Sequence, residues 1–261
     1  MTKAKIIALF VAIGFAASSF AVPPLVSGDV PTADKRFFEW YAGVRYQESE
    51  SGSVSRQLPF TELVYGISAR QEITFEIPYL SERGEHGFGD GVVGTKFMFV
   101  KEQERIPGIA LSFELKLPSG DESRGLGTGE FDYDLRLRAQ KTWGWFTIIG
   151  NVGYTFISEP KIGGMASSRE NVWIVTCAQQ YELTSKFNLL SEVYWLNSEE
   201  PGEPSRLAAN VGFKYKLLES LSCHASVGKS LREGNRGGPD FRCYAGLKWT
   251  FSPFPKTKEK S

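Results

Sequence analysis

From Ile109 to Gln140, apolar and polar residues take turns, and this alternation restricts the fold more than any other feature of the chain. Ile109, Leu111, Phe113, Leu115 and Leu117 alternate with Ala110, Ser112, Glu114 and Lys116. After a glycine-rich loop, Phe131, Tyr133, Leu135, Leu137 and Ala139 alternate with Asp132, Asp134, Arg136, Arg138 and Gln140. A period of two over about ten residues is that of a β-strand with one apolar and one polar face. A soluble sandwich would turn the charged face to bulk water. A transmembrane barrel would turn it to the lumen and the leucines to lipid.

The rest of the chain decides between the two. Twelve strand candidates follow one another at 38–48, 56–67, 71–81, 90–101, 107–117, 129–141, 145–157, 171–183, 187–197, 205–217, 221–230 and 240–251. Most hold ten or more residues. A tilted strand of about 9–11 residues crosses a bilayer, whereas strands of globular proteins are nearer five or six. The connections also alternate. Ser68-Ala69-Arg70, 102–106, Thr142-Trp143-Gly144, Thr184-Ser185-Lys186 and Leu218-Glu219-Ser220 are short; 82–89, 119–128, 158–170, 198–204 and 231–239 are longer. Short periplasmic turns and longer extracellular loops are the rule in outer-membrane barrels, and a sandwich has no reason to produce them. The expectation is an all-β protein, a transmembrane antiparallel up-and-down barrel of twelve strands.

Aromatic residues fit the same reading. Trp40, Tyr65, Tyr215 and Trp249 fall on apolar-face positions near the short turns, and Tyr46, Tyr79, Phe156 and Trp195 near the long loops. Two belts of amphipathic rings are expected at the two membrane interfaces. In 171–183, Trp173, Val175, Cys177 and Tyr181 would face lipid, but Gln179 interrupts that face.

The flanks divide the chain into four parts. Residues 1–21 have a basic start (Lys3, Lys5), an apolar run from Ile6 to Phe20 and small residues at Ser19 and Ala21, the pattern of a signal peptide cleaved after Ala21. Residues 22–37, with Pro23, Pro24, Gly28 and Pro31, read as an irregular periplasmic leader. The barrel occupies 38–251, and 252–261 is a polar tail. The last strand closes on Trp249-Thr250-Phe251, which resembles the terminal signal read by the barrel assembly machinery, although here the tail follows it.

Thirty lysines and arginines balance thirty aspartates and glutamates in 261 residues, which argues against nucleic acid as a partner. The mean hydropathy of −0.23 reflects strands that are each half polar. Cys177, Cys223 and Cys243 are an odd, widely spaced set, more suited to strand faces than to a disulfide framework; Cys223 and Cys243, on consecutive strands, leave one bridge open.

Gly87-Phe88-Gly89-Asp90 precedes a strand, Leu117-Pro118-Ser119-Gly120-Asp121 follows one, and Gly125, Gly127 and Gly129 are spaced through the next loop. Together these motifs resemble the outer-membrane transporter family named for the meta-pathway of phenol degradation, over about residues 37–251. Taken alone they are loop-shaping elements, glycines for positive φ and aspartates for side-chain turns. The resemblance implies passage of small molecules, hydrophobic or aromatic ones among them.

Enzyme chemistry finds no purchase in the motifs. A barrel hydrolase needs a histidine beside a nucleophilic serine and a third group to orient the imidazole. The two histidines are His86, in a glycine-rich loop, and His224, flanked by Cys223 and Ala225. No metal or cofactor is expected, since two distant histidines make no cluster and 124–129 lacks the lysine of a phosphate-binding loop. The candidate site is therefore the lumen. Parity turns Glu72, Glu76, Lys96, Glu114, Lys116, Asp132, Asp134, Arg136, Arg138, Glu192, Lys214, His224, Arg242 and Lys248 inward as pore-lining or ligand-binding residues. Twelve strands give a backbone diameter of roughly 24 Å, leaving about 10 Å or less between side chains. Two functions fit such a lumen: a narrow charged passage for a solute, or a salt-bridged, closed interior in a structural barrel. Outer-membrane lipid is the expected surround in either case. The protein should fractionate with outer membranes and migrate faster on gels before boiling than after; a soluble product with no heat-modifiable migration would remove the barrel.

Overall fold

The alternation closes into a barrel. In the computed structural model, residues 23–49, 54–82, 84–159, 161–162, 165–166, 168–199, 201–232 and 239–254 are described; the expected signal peptide and most of the tail lie outside these residues. The barrel strands are β1 (Phe38–Ser49), β2 (Val54–Ser68), β3 (Gln71–Glu76), β4 (Val92–Val100), β5 (Gly108–Lys116), β6 (Asp132–Trp143), β7 (Phe146–Phe156), β8 (Val172–Thr184), β9 (Phe187–Leu196), β10 (Arg206–Leu218), β11 (Leu221–Ser230) and β12 (Pro239–Phe251). Each pairs antiparallel with its sequence neighbours, and β1 pairs with both β2 and β12, so no edge is left open. At the seam Trp40 lies opposite Trp249 and Phe38 opposite Phe251.

The expected strand 71–81 divides. β3 stops at Glu76, ahead of Ile77 and Pro78, and the chain resumes as a hairpin, Tyr79–Glu82 with Glu85–Phe88, that pairs with the start of β2. Pro78 has no N–H to give a ladder, which is why the strand breaks there. In β2 the residues Leu58 and Pro59 stand opposite Val44 alone, and the resulting bulge has the same cause.

The two faces differ as the pattern requires. Along β6, Asp132, Asp134, Arg136 and Arg138 are at most 2% exposed, whereas Tyr133, Leu135 and Leu137 are 42–51% exposed. Phe97, Phe99, Val152, Val175, Val193, Val211, Val227 and Leu247 continue the outer apolar band around the barrel. Rings gather at both rims. Trp40 and Trp249, Phe38 and Tyr65, and Trp145 and Tyr181 pair at the short-turn end; Tyr46 and Phe241, Tyr79 and Phe88, and Tyr154 and Trp173 pair at the long-loop end. Gln179 does sit on the outer face, but its carboxamide oxygen accepts hydrogen bonds from Tyr181 Oη (2.8 Å) and Ser191 Oγ (3.4 Å). That satisfies a group which unpaired in hydrocarbon would cost several kcal/mol, on the order of 4. Cys223 faces Leu247 and Cys243 faces Val227, four residues further along, and all three cysteines are free.

Leu137 lies halfway along β6 on the lipid face. Leu137→Arg should destabilise the inserted barrel by about 2–4 kcal/mol and reduce the heat-modifiable fraction in membranes, while Leu137→Ala leaves assembly intact. Equal assembly of the two variants would contradict the assigned register.

Candidate functional site

The lumen is not empty. The leader does not hang on the periplasmic side as its composition suggested; residues 23–33 run along the inner wall. It enters beside the start of β1, where Arg36 N–H donates to Gly66 O (2.8 Å), then passes from β3 round to β11. Ala33 N–H donates to Glu72 Oε2 (2.6 Å), and Lys96 Nζ donates to Pro31 O (2.6 Å). Gly28 and Asn151 exchange two bonds, N–H to Oδ1 (2.7 Å) and Nδ2 to O (3.0 Å). Glu192 is the strongest anchor. Its carboxylate accepts from Val26 N–H (2.8 Å), Ser27 N–H (2.8 Å), Ser27 Oγ (2.7 Å) and the Asn210 carboxamide. Ser27 Oγ also lies 2.7 Å from Thr176 Oγ1, and Ser226 Oγ donates to Pro24 O (2.5 Å). A segment without helix or sheet must satisfy its backbone some other way, and here the wall does it.

Apolar packing follows the same path. Four buried apolar clusters each contain one leader residue: Leu25 with Ile149, Ala178 and Leu190; Val26 with Val172, Ile174, Tyr194, Leu196 and Ala208; Val30 with Met98 and Ala110; Ala33 with Tyr41, Phe60, Val64 and Tyr244. The inner wall is thus partly apolar where the leader packs against it. Gly28 lies so close to the Arg138 guanidinium that a Cβ there would overlap it.

The charged positions named by parity are all on the inward face, and most are paired. Lys116 is ion-paired with Asp132, and with Asp90 at 3.7 Å. Asp134 holds Arg136 Nε at 2.9 Å and accepts from Thr155 Oγ1 at 2.6 Å. Arg138 lies 3.7 Å from Glu114. Lys96 meets Glu72 at 3.0 Å, Arg45 meets Glu76 at 4.0 Å and stacks 4.4 Å over Phe60, and Lys248 meets Glu39 at 2.7 Å across the seam. Arg242 lies opposite Gln47 and Gly228, and Lys214 opposite Asn188 and His224. His224 Nε2 is 2.8 Å from Ser222 Oγ, two residues away on the same face; reading only chain neighbours missed this serine. The imidazole also packs edge-on against the Tyr41 ring, with centroids 6.1 Å apart. Asn151, Thr176, Asn210 and Ser226 were missed because they are uncharged, although parity alone turned them inward.

At the long-loop end the three sequence motifs converge on Asp90. Its Oδ1 accepts from Gly120 N–H (2.9 Å) and its Oδ2 from Thr128 N–H (2.9 Å), while Ser119 Oγ accepts from Gly91 N–H (2.8 Å). Asp121 caps a 3₁₀ turn (Glu122–Arg124); hydrogen bonds from Ser123 and Arg124 hold its carboxyl below the ordinary aspartate range. Gly125 (φ +71°) and Gly129 (φ +69°) adopt the left-handed conformation that the loop needs. Leu126 is buried against Gly87, so the loop packs on the hairpin that carries Gly87.

The fold and this interior define a closed barrel of the outer-membrane type, crossed by its own leader. The sequence matches the family described as "Putative MetA-pathway of phenol degradation" over residues 44–241, and the chain belongs to that family. Among curated proteins no sequence match is found. The structure is similar to that of an outer membrane channel from Pseudomonas putida F1, with a TM-score of 0.71 at 14% identity over 88% of this chain and 100% of that one. It is also similar to the NanC porin (TM-score 0.58, 11% identity, 81% of this chain and 98% of that one). The KdgM porin gives a TM-score of 0.54 at 11% identity, over 81% of this chain and 99% of that one. At these identities the likeness is one of fold.

Glu192→Ala should release the leader without opening the barrel. Loss of charge-assisted bonds of about 1.5–3 kcal/mol each should raise hydrogen exchange at the Val26 and Ser27 amides by about tenfold or more, with heat-modifiable migration retained. Unchanged exchange would show that the apolar clusters alone hold the segment.

Proposed function

We propose that the protein is an outer-membrane channel for small molecules, hydrophobic or aromatic ones among them, whose narrow charged lumen is constricted by residues 23–33. The observation that carries this reading is the way the leader is held. It is fixed by hydrogen bonds to polar wall residues and by four separate small apolar clusters, not by one continuous apolar core. The family membership and the similarity in fold to proteins described as an outer membrane channel and as porins support it. Passage of solute, the outer-membrane location and assembly by the barrel machinery belong to the same proposal.

One observation favours a second reading. Asp132, Asp134, Arg136 and Arg138 do not present a row of free charges to a permeating ion; ion pairs join each to a neighbour. A lumen neutralised in this way also suits a structural barrel. In planar bilayers the channel reading predicts small, discrete conductance for the whole protein and a several-fold larger one when residues 23–33 are deleted. Absence of conductance and of solute uptake by liposomes from both forms would favour the structural barrel. Hydrolysis of lipid or peptide esters, lost in Ser222→Ala, would instead favour an enzyme.

A further inference from the structure

At the short-turn mouth the lumen opens into a cavity of about 360 Å³ whose inner end is formed by Asp29 and Pro31–Ala33 of the leader. Five ammonium groups line it, those of Lys96, Lys186, Lys214, Lys216 and Lys248, against four carboxylates, those of Asp29, Glu39, Glu72 and Glu219. Each carboxylate has a lysine, although Lys96 serves two of them. Glu72 and Asp29 are held by Lys96 (3.0 and 3.4 Å), Glu39 by Lys248 (2.7 Å) and Glu219 by Lys216 (3.0 Å). Lys186 stands at the exposed rim. Lys214 remains, further inside on β10, and among the described residues its side chain makes no hydrogen bond and no ion pair.

We propose that this vestibule binds a small amphipathic carboxylate, with Lys214 as its counter-ion. Asp29 and Glu39 attract Lys214 only from beyond ion-pair distance, being engaged by Lys96 and Lys248, and a mobile anion supplies the direct contact that they do not. Asn188, directly opposite Lys214 and also lining the cavity, adds a carboxamide donor. The rest of the wall suits a hydrophobic body: the Tyr41 ring, Val64, Pro31 and Leu221 face the same space. The volume lies at the lower end of that of small-molecule pockets, which combine apolar walls with a few fixed polar groups. Five lysines against four carboxylates leave the wall with one net positive charge, which suits a monoanion. A phosphate dianion would have to pull lysines away from Glu39 or Glu72, and a cation would meet the unpaired ammonium. The site lies on the short-turn side of the leader, so it can fill whether or not solute crosses the barrel, and in this it goes beyond the channel reading.

Benzoate is a suitable probe, with benzyl alcohol as its neutral counterpart, titrated into the purified full-length barrel in detergent and followed by calorimetry or ligand-observed NMR. Benzoate should bind the wild type more tightly than benzyl alcohol does. Lys214→Gln should weaken benzoate by about tenfold or more, as loss of a hydrogen bond to a charged group implies, and leave benzyl alcohol unaffected. Lys214→Arg should bind within about threefold of wild type, keeping the charge. Ser222→Glu, which places a carboxylate in the vestibule, should weaken benzoate even if Lys214→Gln fails to assemble. Benzoate binding no tighter than benzyl alcohol, or unaffected by both Lys214→Gln and Ser222→Glu, would overturn the proposal. A barrel that binds benzoate but conducts nothing would count against the channel and leave this site standing.

Discussion

The Glu192 carboxylate is the point on which the interior depends. It accepts the N–H groups of Val26 and Ser27 and the Ser27 hydroxyl, and Asn210 on the next strand steadies it. A leader without regular secondary structure has free donors and acceptors all along it. In a lumen mostly closed to water, each one left unpaired would cost about 1–3 kcal/mol. The wall therefore has to be polar where the backbone passes and apolar where Leu25, Val26, Val30 and Ala33 point. That is how it is built, with Glu192, Asn151 and Glu72 meeting backbone and the four clusters meeting side chains. Leader and barrel are in this sense one core, and the strands alone would enclose neither.

The ladder on β6 shows how the same interior handles charge. Two aspartates and two arginines on one face of one strand suggest a path for ions. In the barrel Asp134 turns to Arg136 on its own strand, while Lys116 and Glu114 on β5 take Asp132 and Arg138. In the low dielectric between wall and leader, unlike charges this close attract more strongly than they would in water, and an unpaired one is heavily penalised. Pairing is therefore the stable outcome wherever a partner is within reach. Lys214 is the informative departure, because its strand neighbours Asn188 and His224 offer no carboxylate.

How much of this was legible in the sequence depends on the range of the interaction involved. The inward and outward faces, the strand ends to within three residues for most strands, and the aromatic rims follow from period and turn spacing, which are local. The exceptions are local as well: Pro78 ends β3 early, and Leu58 and Pro59 bulge β2. The leader was different. Its prolines exclude regular structure but do not say where an irregular segment goes. A signal was present in the inward positions of β7, β8 and β9. Ile149, Ile174, Ala178 and Leu190 are apolar on a face that should meet water, and an apolar residue turned into a lumen implies something apolar opposite it. The Ser222–His224 contact was missed for a related reason, since residues two apart on a strand share a face while chain neighbours do not.

The two mouths are held by different physics. At the long-loop end, Asp90 bonds to backbone N–H groups of the loop after β5, and Leu126 of that loop is buried against Gly87. Such a clamp ties backbone to backbone through one buried carboxylate, and it can loosen only by giving up several bonds together. At the short-turn end the floor of the cavity is the leader, whose Ala33 N–H and Pro31 carbonyl are held by Glu72 and Lys96, side chains that are also each other's ion-pair partners. Glu72 and Lys96 can keep their mutual pair while exchanging a backbone contact for water from the adjoining cavity. The cost of shifting the leader there is thus the difference between similar hydrogen bonds, not the full cost of stranding a charge. The structure is consequently fixed most firmly where Asp90 clamps the loop and is easiest to rearrange where the leader faces the vestibule.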